Sequence, residues 1–150
     1  MSQNIIDKLQ RENITLAPFK KRALAYAIDE LLLSMLFLII YWDIFEGVKN
    51  YEETVMMTSN LLVQIFALKV VYQAFFTWYY GASIGKIVMK IVCVDIDLLD
   101  KPNFKISIIR ALMRVVSENV FFLGCVWALS NPLLQTWHDK FAKTVVIDVY

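Results

Sequence analysis

Two carboxylates, Asp29 and Glu30, lie inside the first long apolar run of the chain, Ala23 to Trp42. An ionised carboxylate at membrane depth costs about 2.5–3.5 kcal/mol on insertion scales, so a chain that keeps one there must give it a partner or a task. The run has the length of a helix crossing a hydrocarbon core of about 30 Å. Tyr41-Trp42 close it in the manner of an interfacial aromatic belt. A basic cluster, Lys20-Lys21-Arg22, stands before it. On a helix over about 22–42, Arg22 and Asp29 share one face, with the carboxylate about 10 Å deeper than the guanidinium.

Composition agrees with a membrane chain. Hydrophobic residues make up 59% of the sequence and the mean hydropathy is +0.55, above the usual apolar share of about 45–50%. A length of 150 residues accommodates one domain. The net charge of +1 leaves no basic surplus for a nucleic-acid partner. Cys93 and Cys125 lie in no metal-type spacing and read as reduced thiols, so neither metal nor cofactor is expected. No nucleophile, base and orienting acid fall into a catalytic order. His138-Asp139 is a dyad without a nucleophile, and the chain is not expected to be an enzyme.

Residues 1–21 read as a cytoplasmic amphipathic tail rather than a signal peptide. Asp7, Lys8, Arg11 and Glu12 interrupt any apolar core, while Ile5, Ile6, Leu9 and Leu16 form a weak helical stripe. Pro18 separates this tail from the first span. A surface-lying helix and a partner-binding helix remain alternatives.

A second apolar run predicts a helix over about 56–80, closed by Trp78-Tyr79-Tyr80. It carries Asn60 and Gln64 on one face, and Lys69 and Gln73 on another. Lysine and arginine are concentrated before the first run and between residues 81 and 105, against a lone Lys49 between the runs. The positive-inside rule therefore puts the N-terminus and the 81–105 loop in the cytoplasm. Asp29 and Gln73 then fall at similar depth, with Lys69 one turn deeper. Asp29 or Glu30 is expected to pair with Lys69, with Gln73 as a hydrogen-bonding neighbour. A purely structural clasp that fixes helix register is the alternative role for such a group.

Gly81-Ala82-Ser83-Ile84-Gly85-Lys86 imitates a phosphate loop, but the spacing is short and Ile87 stands where a Ser or Thr is needed. A sharp turn out of the membrane suits these glycines better. Beyond it, β-branched residues predict a strand over about 87–97, and Thr144 to Val149 a second one; the two are expected to pair. Between them, helices over about 105–117 and 119–134 are expected. They either return the chain to the cytoplasmic side as a short, re-entrant pair or form a third span. Ser107, Arg110, Arg114 and Glu118 share a stripe, on which Arg114 can pair with Glu118. The fold class is thus an all-α membrane protein: a small polytopic helical bundle of two full spans plus a short helix pair or third span, with a small cytoplasmic β-strand pair.

Several segments resemble the RDD family of small integral membrane proteins. They are Arg22-Ala23-Leu24-Ala25-Tyr26-Ala27-Ile28-Asp29, the 81–86 loop with Val92-Cys93-Val94-Asp95, Arg110, and the closing segment Gln135 to Val146. The arginine and two aspartates for which the family is named would be Arg22, Asp29 and Asp139. Leu98-Leu99-Asp100-Lys101-Pro102 replaces the family's acidic-glycine turn, and Lys143 stands where glycine is common. The resemblance implies an integral protein, here of a bacterial cytoplasmic (inner) membrane, engaged in transport of a cation or small solute, with sodium–proton exchange the most concrete form. On that reading Asp29, helped by Glu30, Lys69 and Gln73, handles Na+ or H+. Arg22, Asp139, His138, Arg110 and Arg114 form a cytoplasmic latch, with His138 as a relay. Beyond the bilayer itself, a transporter this small implies a homo-oligomer. The alternative is a membrane adaptor or assembly factor whose buried charges are structural and whose partner is another membrane protein.

Overall fold

The computed structural model describes residues 2–120 and 123–149. A helix, α1 (Ser2–Arg11), leads to a two-residue strand, β1 (Thr15–Leu16). Pro18 is extended, at φ −65° and ψ 150°, and starts α2 (Phe19–Ile40) ahead of the expected Arg22. Short helices α3 (Trp42–Glu46) and α4 (Tyr51–Asn60) follow, then α5 (Leu62–Tyr80). Two of these helices, α2 and α5, are long and apolar enough to cross a membrane, with mean hydropathies of 2.1 and 1.2.

The second run is not one helix. At Leu61, with φ −95° and ψ 4°, the amide is shared between the carbonyls of Met57 and Thr58. Thr58, Ser59 and Asn60 are weak helix formers, and the axis breaks after them. Asn60 and Gln64 therefore sit on different helices, and both are exposed.

The strand expected from residue 87 is also shorter. Ile84–Val88 form a helix, α6, and only Ile91–Asp95 form β2. The amides at the start of α6 have acceptors from other helices: Ile84 N–H donates to Tyr72 Oη, and Gly85 N–H to Asp29 Oδ1. Those bonds outweigh the β-preference of Ile87 and Val88. Lys90, at φ 57°, turns the chain into β2.

The chain continues as α7 (Phe104–Asn119), α8 (Leu123–Val126), a single 3-10 turn (Trp127–Ser130), α9 (Trp137–Phe141) and β3 (Thr144–Asp148). Of the expected 119–134 helix only α8 and that turn are found, and residues 121 and 122 lie outside the described residues. α7 runs antiparallel to α5: Phe104 packs edge-on against Trp78, and Glu118 reaches Lys69. β2 pairs with β3, so the chain that leaves the sheet through α7 comes back to it through α9.

The expected strand pair is a three-stranded antiparallel sheet of order β1-β3-β2. The tail supplies the extra strand, because Thr15 and Leu16 meet Asp148 and Ile147 on the free edge of β3. α1 is docked as well: Leu9 is buried, and Lys8 Nζ donates to the carbonyls of Ile96 and Asp97 at 3.2 and 2.6 Å. The small core of Ala17, Ala25, Ile91 and Val146 joins the sheet to the start of α2.

Side-chain polarity is arranged inside out. α7 buries Ser107, Arg110, Arg114 and Ser117 and exposes Ile109, Leu112 and Val116. α2 buries Asp29 and exposes Leu24, Leu31 and Met35, and α5 buries Gln73 and Thr77 while exposing Val63 and Val71. A helix in water does the reverse. Such surfaces suit hydrocarbon, where polar groups must find partners within the protein.

Candidate functional site

Asp29 is fully buried, and both of its oxygens are occupied. Oδ1 accepts from Tyr72 Oη and Gly85 N–H, each at 2.8 Å. Oδ2 accepts from Ser83 Oγ at 2.6 Å and Gln73 Nε2 at 3.5 Å, with Arg114 Nη1 3.7 Å away. The carboxylate thus ties together α2, α5, α6 and α7. Gly85 permits the arrangement, since a Cβ there would collide with the Ala25 carbonyl oxygen of α2.

Asp29 does not pair with Lys69. One position along α2 turns a side chain by about 100°, and it is Glu30 that faces α5. Lys69 Nζ lies 2.8 Å from Glu30 Oε2 and 3.0 Å from Glu118 Oε2, while Glu118 Oε1 holds Arg114 Nε at 3.1 Å. Glu30 and Lys69 are each partly open, at 27% and 20% exposure. Both lie about 16 Å along their helices from the sheet end, near half the depth of a hydrocarbon core of about 30 Å. The expected Arg114–Glu118 pair is present, and Gln73 donates to Asp29.

Four of the expected latch residues, Arg22, Arg110, His138 and Asp139, meet at the start of α9, while Arg114 turns to Glu118 and Asp29. Asp139 accepts from Arg22 Nη2 at 2.7 Å on Oδ2 and from Arg110 Nη2 on Oδ1. Arg22 also donates to the Leu134 carbonyl oxygen. The start of α9 is closed by a reciprocal cap, in which Thr136 Oγ1 accepts from Asp139 N–H and Asp139 Oδ2 from Thr136 N–H. Burial would raise the Asp139 pKa, but Arg110 and Arg22 outweigh it and hold the carboxyl well below its ordinary value. Arg110 is held more firmly protonated, Asp139 outweighing its burial. His138 lies with Nε2 3.8 Å from Asp139 Oδ1. Burial, with Arg110, Arg114 and Lys86 nearby, pushes its pKa well below 6.5 and leaves a neutral ring.

Lys86 is the residue that sequence reasoning missed. In the sequence it reads only as the last residue of a glycine-bounded loop. It is buried on α6, forms no salt bridge among the described residues, and has its pKa pulled down to about 7, chiefly by desolvation and then by Arg110. Cys93, a buried thiol, is close enough to interact with Arg110 and Lys86. The Cys125 side chain lies outside the description. A cavity of about 290 Å³ runs between α2, α7 and α9, with Lys86, Arg110, Arg114 and His138 in its wall. No cluster of His, Cys, Asp and Glu able to hold a metal occurs among the described residues.

The model of the RDD family matches residues 16–143. An uncharacterized protein, RP437, of Rickettsia prowazekii (strain Madrid E) is 30% identical over 90 residues, which cover 59% of this chain and 50% of that protein. The chain thus spans about half the length of the curated relative it matches. No solved structure matches.

Proposed function

The chain belongs to the RDD family, and from that premise we propose that it is a small transporter of the bacterial cytoplasmic membrane, exchanging a cation such as Na+ for a proton at Glu30, Lys69 and Glu118. One observation carries the reading: a lysine is clamped between two carboxylates from two other helices, at about half the depth of the apolar helices. Charges at that depth are costly and serve ion or proton pathways. A cation competes with the Lys69 ammonium for the two carboxylates, and a proton added to Glu30 or Glu118 releases it. Asp29, whose lone pairs are taken up by Tyr72, Ser83, Gly85 and Gln73, holds the helices in register and leaves the exchange to Glu30.

The sheet, α6 and α9 then face the cytoplasm, where the positive charge is concentrated. A second copy of the chain covers the partly open Glu30 and Lys69, giving the homo-oligomer that a protein of this size needs. The test is proton and sodium flux in proteoliposomes. Sodium-dependent proton movement that is lost in Lys69→Met and Glu30→Gln, and retained in a folded Asp29→Asn, supports the exchange. Silence in a folded, inserted wild type overturns it. A second reading, a non-transporting membrane adaptor, draws on the same full occupancy of Asp29, which suits a structural clasp. It is favoured if flux is absent while the protein can be cross-linked to another membrane protein through α1.

A further inference from the structure

The cavity beside α2 meets the Lys69 cluster only through Arg114, which Glu118 holds, and its charge is unbalanced. Arg22, Lys86, Arg110 and Arg114 line it against the carboxylates of Asp29 and Asp139. Asp139 is already shared by Arg22 and Arg110, and Asp29 is filled by the donors named above. Donors are left over. Arg110 Nε and Nη1 and Arg114 Nη2 are buried without a hydrogen-bond partner among the described residues, in side chains that are 5% and 9% exposed. A buried guanidinium N–H without an acceptor is costly, which argues for an acceptor that arrives from outside.

The opening of the cavity differs from its floor. Phe19 and Ala23 from α2 and Val126 from α8 are exposed, and Tyr26 and Ala128 lie further in. A volume of about 290 Å³ is close to the small end of ligand pockets, about 300 Å³. A mostly apolar wall at the end of a span, with buried guanidinium and ammonium groups at its inner side, matches one kind of ligand.

We infer that this cavity binds an oxyanion, the phosphate or carboxylate head of an amphiphile whose apolar part fills the entrance. Arg110 and Arg114 offer such a head single guanidinium N–H donors, since Asp139 and Glu118 hold the rest of each group, and Lys86 adds a point charge. With a small turn of these side chains the head supplies acceptors for the donors that Asp139 and Glu118 leave unpaired, and its charge offsets the repulsion among Lys86, Arg110 and Arg114. The site shares Arg114 with the Glu118 end of the exchange cluster, but binding is read without flux and stands if that reaction fails.

Native mass spectrometry of the detergent-purified chain tests this, with dihexanoyl phosphatidic acid, dihexanoyl phosphatidylcholine and inorganic phosphate as probes. One equivalent of the phosphatidate is expected to bind at least about tenfold more tightly than the zwitterionic lipid, and Lys86→Met to weaken it by about tenfold. Ala23→Trp, which narrows the entrance without touching a charge, should weaken the phosphatidate and spare inorganic phosphate. Inorganic phosphate binding as tightly as the phosphatidate, still dependent on Lys86, supports the oxyanion site and assigns its ligand to the aqueous phase. Equal affinity for the phosphatidate and phosphatidylcholine overturns the inference, as does binding unchanged in a folded Lys86→Met. If Lys86→Met does not fold, the comparison of the lipids on the wild type decides.

Discussion

The buried aspartates and the mid-depth glutamates of this chain are satisfied in opposite ways. Asp29 and Asp139 are inaccessible, and every oxygen has a donor fixed by backbone or by packed side chains. Glu30 and Glu118 share one flexible lysine, and Glu30 and Lys69 are partly open. The first arrangement holds α2, α6, α7 and α9 in one geometry. The second can exchange its partner without moving a backbone. The lesson is that a carboxylate's accessibility and the freedom of its donors, rather than its presence in an apolar helix, separate a clasp from a site. The two aspartates also differ from each other, since Asp139 is neutralised by guanidinium groups and Asp29 mainly by neutral donors.

The largest effect is expected at Asp139. Asp139→Asn leaves Arg22 and Arg110 buried around a neutral amide, a loss of about 3–5 kcal/mol. In thermal unfolding this lowers the midpoint by roughly 10 °C. The low Asp139 pKa gives the folded state stability that is present above the ordinary carboxylate range and lost as pH falls through it. The variant therefore has a flatter acid limb than the wild type, as well as a lower midpoint. An unchanged midpoint would mean that the guanidinium pair is not what holds α9.

Asp29→Asn breaks the other clasp less severely. An amide oxygen keeps the Tyr72 and Gly85 bonds, Ser83 can turn to accept, and Arg114 loses a partner that is already 3.7 Å away. A cost of about 1–3 kcal/mol follows. Denaturant unfolding of both variants orders the two clasps directly. If Asp29→Asn proved the more damaging, the division between guanidinium-held and neutral-held aspartates would be wrong.

Much of this was legible in the sequence, and the failures have physical causes. Hydropathy and length located α2 and α5, and the RDD resemblance picked out Arg22, Asp29 and Asp139, which the structure places on one cavity. The partners of Asp29 were not legible. Tyr72 and Ser83 look like ordinary helix and loop residues until α5 and α6 are brought onto α2, and tertiary hydrogen bonds also made a helix of residues that favour strand. Glu118 was assigned to Arg114 alone, because its second partner is distant in sequence and reached only by packing. Lys86 was hidden for the same reason, since burial of a loop lysine is a property of the whole fold.

Lys86 sharpens the comparison as a buried charge with no carboxylate of its own. Its folded pKa of about 7 lies below the ordinary lysine value, so from pH 7 upward the unfolded chain holds the extra proton and wild-type stability rises with pH. Arg110 and Arg114 face it from α7, Asp139 and His138 from α9, and Cys93 from β2. Asp139 stays ionised and His138 neutral over this range. The stability of Lys86→Met should therefore lack a rise of up to about 1.4 kcal/mol per pH unit between pH 7 and 9 that the wild type shows. Parallel curves would place the Lys86 ammonium in a better-solvated position than the structure gives it.

Lys69→Met is the smallest expected change in stability and the most telling. A partly open ion pair contributes little, about 0–1 kcal/mol, and methionine keeps the packing of the lysine stem along α5. The counter-effect is that Glu30 and Glu118 lose their shared cation, but Arg114 still holds Glu118, and Glu30 is open enough to take up a proton or an ion. The variant should thus unfold within about 1 kcal/mol of the wild type while losing sodium-dependent proton movement. A large loss of stability would put Lys69 with the clasps and remove the distinction between the two regions. Unchanged stability with unchanged flux would leave the distinction standing and move the exchange away from Lys69.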